Sequence, residues 1–117
     1  MKAESLSMED IAKISQHFGG RLRVEAGLNA ALAAGGRRGI FRRIAYLWRA
    51  LLHSYPLVEG DRRTALVVAI ILFEKNRIAL WDGQRKRLVS AILKVSKENI
   101  SDVGRIERLV RYAVQGV

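Results

Sequence analysis

Apolar residues recur along this chain at intervals of three and four, the spacing that gives a helix one buried face. Ser7, with Asp10 three residues later, reads as a capping box, and Ile11, Ile14 and Phe18 then share a side until Gly19-Gly20 stops the pattern. A second helix is expected from about Leu22 to Ala34, ending at Gly35-Gly36. Next, Ile44, Leu47, Trp48, Leu51 and Leu52 form a stripe with Arg42, Arg43 and Arg49 largely opposite, and Pro56 lies just past its end. The segment from about Arg62 to Lys75 is apolar on every side through Val67, Val68, Ile70, Ile71, Leu72 and Phe73, which predicts a helix in the middle of a bundle. Asn76-Arg77 breaks it, and Ile78 to Trp81 is expected to be extended. Asp82 is expected to cap a helix carrying Leu88, Ile92 and Val95. Ser101 or Asp102 caps the last helix, with Ile106, Leu109, Val110 and Ala113 inward. The pattern predicts an all-α protein, a compact bundle of about six helices with a buried central helix, forming a single domain over residues 1–117.

Composition narrows the classes. Half of the 117 residues are hydrophobic, enough for one core and against disorder. The absence of cysteine removes disulfides, thiolate metal sites and cysteine nucleophiles together. The longest apolar run, Ala65 to Phe73, is too short to span a bilayer, and the polar start does not read as a signal peptide. A soluble, cytoplasmic protein is expected. The formal charge is +10, from 21 Lys and Arg against 11 Asp and Glu, which favours phosphate in some form or an acidic partner. The basic residues are spread through every segment, so nucleic acid is a possible partner but not the favoured one.

The candidate chemistry lies between His53 and Leu66. There a helix runs into a loop holding the only proline, and the loop supplies Glu59, Gly60, Asp61, Arg62 and Arg63 just before the most apolar helix. Helix N-termini present N–H groups and partial positive charge, and arginine adds a forked donor matched to phosphate oxygens. An acid, a glycine and paired arginines at such a place suit a metal-bound phosphate.

The run Pro56-Leu57-Val58-Glu59-Gly60-Asp61-Arg62-Arg63-Thr64-Ala65-Leu66 resembles the signature of the Fic/Doc family, most closely its short Doc (death-on-curing) branch. That signature reads His-Pro-Phe-x-Asp/Glu-Gly-Asn-Lys/Gly-Arg, often followed by Thr-Ala-Leu in Doc-like members. The resemblance implies a Fic/Doc-like helical fold. It also implies a transferase that moves phosphate or AMP from a nucleotide, ATP with Mg²⁺, to the hydroxyl of a protein substrate. By position, Glu59 would hold the Mg²⁺, Gly60, Asp61 and Arg62 would cradle nucleotide phosphate at the helix start, and Arg63 would pair with phosphate oxygens during transfer. Arg62 stands for the Doc-type lysine.

Three positions depart from the signature, and of these Leu57 in place of Phe is a packing change. The family's catalytic histidine falls on Tyr55, and a phenol, with a pKa of about 10 against about 6.5 for imidazole, is a poor base at neutral pH. His53 is the other candidate base, but a two-residue offset on a helix turns it by about 200°. It reads more simply as a histidine at the negative end of a helix dipole. Asp61 replaces the signature asparagine and adds a negative charge. The expectation is a Doc-like protein with weakened or altered transfer. The alternative is a catalytically inactive fold serving as a partner-binding module, such as a toxin-like protein held by an acidic antitoxin.

Overall fold

Each helix begins and ends where local chemistry dictates. A computed structural model describes residues 7–19, 39–53 and 59–116, and in these it contains α1 (Met8–His17), α2 (Ile40–Leu52), α3 (Glu59–Lys75), α4 (Asp82–Lys97) and α5 (Val103–Gln115), with no strand. The helix expected over Leu22–Ala34 lies outside the described residues, as does Pro56, so the expected sixth helix falls there. Ser7 caps α1 as expected: its Oγ accepts the Asp10 N–H at 3.1 Å, and Asp10 Oδ2 accepts the Ser7 N–H at 3.2 Å. The backbone N–H of Ser7 and its hydroxyl together hold the Asp10 carboxyl below its ordinary range. Gly19, at φ +71°, takes the left-handed conformation that closes the helix.

The other boundaries show where sequence pattern was less informative. After α3 ends at Lys75, Arg77 takes a left-handed φ of 63° while the Ile78 N–H reaches back to the Phe73 carbonyl at 2.8 Å. Asp82 is the first residue of α4 and not its cap. The cap is Trp81, whose N–H donates to Gln84 Oε1 at 2.9 Å. Asp102 caps α5, its Oδ1 accepting the Gly104 N–H at 2.9 Å.

The core is shared between α2 and α3. α2 packs against α3, α4 and α5, while α3 packs against α1, α2 and α4. Along α3 the residues Ala65, Val68, Ala69, Leu72 and Phe73 are buried, whereas Val67, Ile70 and Ile71 are half-buried. Ile44, Ala45, Leu47 and Trp48 of α2 are buried as completely, all at 0 % exposure. Fully burying the larger of these, such as Ile44 and Leu47, contributes roughly 1.5–3 kcal/mol each. Because α2 is flanked on three sides, Arg43, expected on its solvent face, is only 3 % exposed.

Polar ties then fix the helices against one another. Glu107 of α5 forms an ion pair with the Arg42 guanidinium of α2 at 2.6 Å and accepts from Arg111 of its own helix at 3.1 Å. The Arg111 guanidinium lies 4.5 Å from the centroid of the Phe41 ring, and Phe41 meets Phe73 of α3 at 5.6 Å. The radius of gyration, 12.7 Å, is close to the value of about 13 Å expected for a packed domain of this length. Among the described residues no helix is long and apolar enough to cross a membrane.

Candidate functional site

Helix α3 begins at Glu59, three residues before the start that the sequence suggests, so the whole run from Glu59 to Arg63 is helical. Two buried hydrogen bonds hold this first turn. The Thr64 hydroxyl donates to the Gly60 carbonyl at 2.6 Å, and the Trp48 indole N–H of α2 donates to the Ala65 carbonyl at 3.0 Å. Both are shielded from water, where a lost partner costs about 1–3 kcal/mol. The turn is therefore fixed in place from α2.

Helical spacing divides the five residues between two faces. Gly60 and Asp61 point inward, and Asp61 is only 2 % exposed, on the same side as Ala65, Val68 and Leu72. Glu59, Arg62 and Arg63 face out. They share a cleft of about 180 Å³ with Leu66 of α3 and with Val89, Ile92 and Leu93 of α4. The cleft has cationic groups at its mouth and four apolar side chains as its walls. Val89 and Leu93, the most exposed of these four, are 40 % and 37 % open to solvent.

The charged groups at the mouth are mutually engaged. Glu59 Oε2 sits 3.2 Å from the Arg62 guanidinium and Oε1 sits 4.0 Å from Arg63 Nε. Arg62 also reaches across the cleft, its Nε donating to Ser96 Oγ of α4 at 3.3 Å. The Glu59 and Arg63 side chains are 65 % and 62 % exposed, so these pairs stand in high dielectric, where each contributes about 0.2–1 kcal/mol. Such contacts are readily exchanged for a ligand. The forks of Arg62 and Arg63 can take phosphate or carboxylate oxygens in bidentate fashion.

A Mg²⁺ ion fits this donor set only as a companion of phosphate. Magnesium commonly takes one or two carboxylates and completes its shell with water and phosphate oxygens. One exposed carboxylate, Glu59, stands beside two guanidiniums that would hold those phosphates. Among the described residues no group of three or more His, Cys, Asp or Glu side chains converges on a metal position.

Of the candidate bases, Tyr55 lies outside the described residues. His53 closes α2, its N–H bonded to the Arg49 carbonyl and its ring Nε2 donating to the Ile100 carbonyl ahead of α5. A carbonyl only accepts, so Nε2 carries the proton and ties the end of α2 to the α4–α5 connection. Ser96 and the apolar wall of α4 were not singled out from sequence. The signal was there in the i, i+4 pair Val89 and Leu93, which sits off the Leu88–Ile92–Val95 stripe.

No protein-family model matches the chain, and no curated protein or solved structure is significantly similar to it.

Proposed function

We propose that this chain is a Fic/Doc-like protein whose first α3 turn binds the phosphates of a Mg²⁺-bound nucleotide, with ATP the expected ligand by resemblance. Transfer of phosphate or AMP to a protein hydroxyl is its expected chemistry, at a weakened or altered rate. The observation that carries this reading is the convergence of Glu59, Arg62 and Arg63 at one cleft mouth, on a helix start anchored by Trp48 and Thr64. Arg62 and Arg63 would orient the phosphates and offset charge developing on them. Bound Mg²⁺ would supply charge neutralisation and a template for the phosphate oxygens, with Glu59 as its protein ligand. Weak transfer follows from the protein's own bases. The signature histidine position holds Tyr55, and the His53 Nε2 proton is committed to Ile100.

Isothermal titration with ATP and Mg²⁺ tests the binding step, and no heat at millimolar nucleotide would sink it. Incubation of lysate with γ- or α-labelled ATP then distinguishes phosphate from AMP transfer. A second reading, a catalytically inactive partner-binding module, is favoured by the apolar walls of the same cleft and by the pairing of Glu59 with both arginines. An acidic partner segment, such as an antitoxin tail, would seat carboxylates on Arg62 and Arg63 and apolar side chains on Leu66, Val89 and Leu93.

A further inference from the structure

The far side of α4 carries a second groove with different chemistry. Between α4 and α5, Arg87, Ser90, Ala91 and Lys94 face Leu109 and Tyr112 across a space of about 210 Å³. Tyr112 lines this space and is 58 % exposed, so its ring is open to a ligand there. Two cations, Arg87 and Lys94, line the space with it. By helical spacing Lys86 and Lys97 extend the Ser90–Lys94 row of α4 in both directions, and Arg108 stands one turn before Tyr112 on α5.

The charge on this flank is largely uncompensated. Arg87 spends only its Nε, donated to the Ala113 carbonyl at 2.8 Å, which fixes the guanidinium at the groove wall and leaves its outer N–H groups available. Among the described residues Lys86, Lys97 and Arg108 have no acidic partner within salt-bridge distance. The acid beside the groove, Glu98, is divided between Lys94 at 4.0 Å and Arg105 at 3.5 Å. A row of cations along α4, with Arg108 and an exposed phenol ring on the α5 lip, matches a phosphodiester backbone with a base to stack.

We propose that the α4–α5 groove binds single-stranded nucleic acid, with Tyr112 as the stacking platform and Lys86, Arg87, Lys97 and Arg108 as the phosphate contacts. Neither Tyr112 nor these four residues belong to the Glu59–Arg63 cleft, so this inference stands or falls separately from the nucleotide reading.

The test is fluorescence anisotropy of the full chain with a labelled 15-nucleotide oligo(dT), from low to moderate salt. Neutralising about four phosphates gives a slope of log K on log salt of about −3. Arg108→Glu should weaken binding and make the slope shallower by about one contact. Tyr112→Ala should weaken binding about ten- to hundredfold at an unchanged slope, and Tyr112→Phe should retain it. The control is Lys13→Glu on α1, an exposed cation on a helix that does not touch α4 or α5. Circular dichroism melts check that each variant is folded. Equal losses for Lys13→Glu and Arg108→Glu would mean diffuse charge and overturn the groove. So would an unaffected Tyr112→Ala, or equal affinity for a duplex of the same length or for anionic phospholipid vesicles.

Discussion

Replacing Trp48 with phenylalanine tests whether the first α3 turn is held from α2. The indole is at 0 % exposure and its N–H donates to the Ala65 carbonyl at 3.0 Å, one turn along from Arg62. Phenylalanine keeps an aromatic ring there but has no donor. Losing the bond costs about 1 kcal/mol. The smaller ring leaves a void of roughly 40 Å³, which at about 24 cal/mol per Å³ adds about 1 kcal/mol. The sum, about 2 kcal/mol, should lower Tm by about 8 °C in a chain of this length. Circular dichroism melts measure it. Tryptophan emission supplies an independent check, because Trp81, the other tryptophan, is 72 % exposed. In Trp48→Phe the remaining emission should barely shift on unfolding, whereas the wild-type emission should move strongly to the red. A Tm loss under about 2 °C, or an undiminished red shift, would refute the placement of Trp48 and the anchoring built on it.

Three further outcomes follow from contacts around the site. Glu59→Gln should weaken binding of Mg²⁺-ATP in titration calorimetry and strengthen binding of metal-free anions such as an acidic peptide, because both arginines lose their internal partner. His53→Ala should destabilise the fold by about 1–2 kcal/mol in urea melts, because the Ile100 carbonyl loses its donor. Loss of transfer activity without loss of stability would make His53 the base instead. Ser7→Ala should lower Tm at neutral pH. The Asp10 carboxyl is held below its ordinary 3.8 in the folded state, so its contribution is complete above that pH and is lost as pH falls below it. The gap between wild type and Ser7→Ala in pH-resolved melts should therefore narrow below pH 3.8, and a gap that widens there would contradict the capping box.

The helices of this chain were legible wherever apolar periodicity set them. The stripes of α2, α4 and α5 predicted Leu47, Leu88, Ile92, Ile106 and Val110 as buried, and all are. Boundaries were harder, since they depend on which single hydrogen bond is made. Glu59, Gly60 and Asp61 read as loop residues because two are acids and one is glycine, yet acids are favourable in a first helical turn and α3 starts among them. Asp82 looked like the cap because its side chain can accept an N–H. Gln84 instead caps from inside the helix. Arg43 could not be read as buried from its own stripe, because the packing of α2 against three other helices is set outside that stripe. Arg62 and Arg63 were legible as a pair, and the off-stripe pair Val89 and Leu93 could be read as apolar, but not that this wall lies opposite the arginines. That wall depends on how two helices lie side by side, which periodicity within either one does not encode.

The helical register of the first α3 turn also changes what Asp61 means. Read as a loop residue, it adds a negative charge beside the phosphates and opposes them. As the third residue of a helix it lies inward, 2 % exposed, while the guanidiniums two and one positions later face out. The charge a ligand meets at the cleft mouth is then set by Glu59 against Arg62 and Arg63, one acid against two bases. Because those pairs are solvent-exposed and weak, they do not close the site to an incoming anion. They let it choose. A metal-bound phosphate would use Glu59 and the arginines together, whereas a carboxylate segment would use the arginines and have to displace Glu59. The sign of the Glu59→Gln effect on each ligand therefore separates a nucleotide site from a partner-docking site, although the arginines serve both.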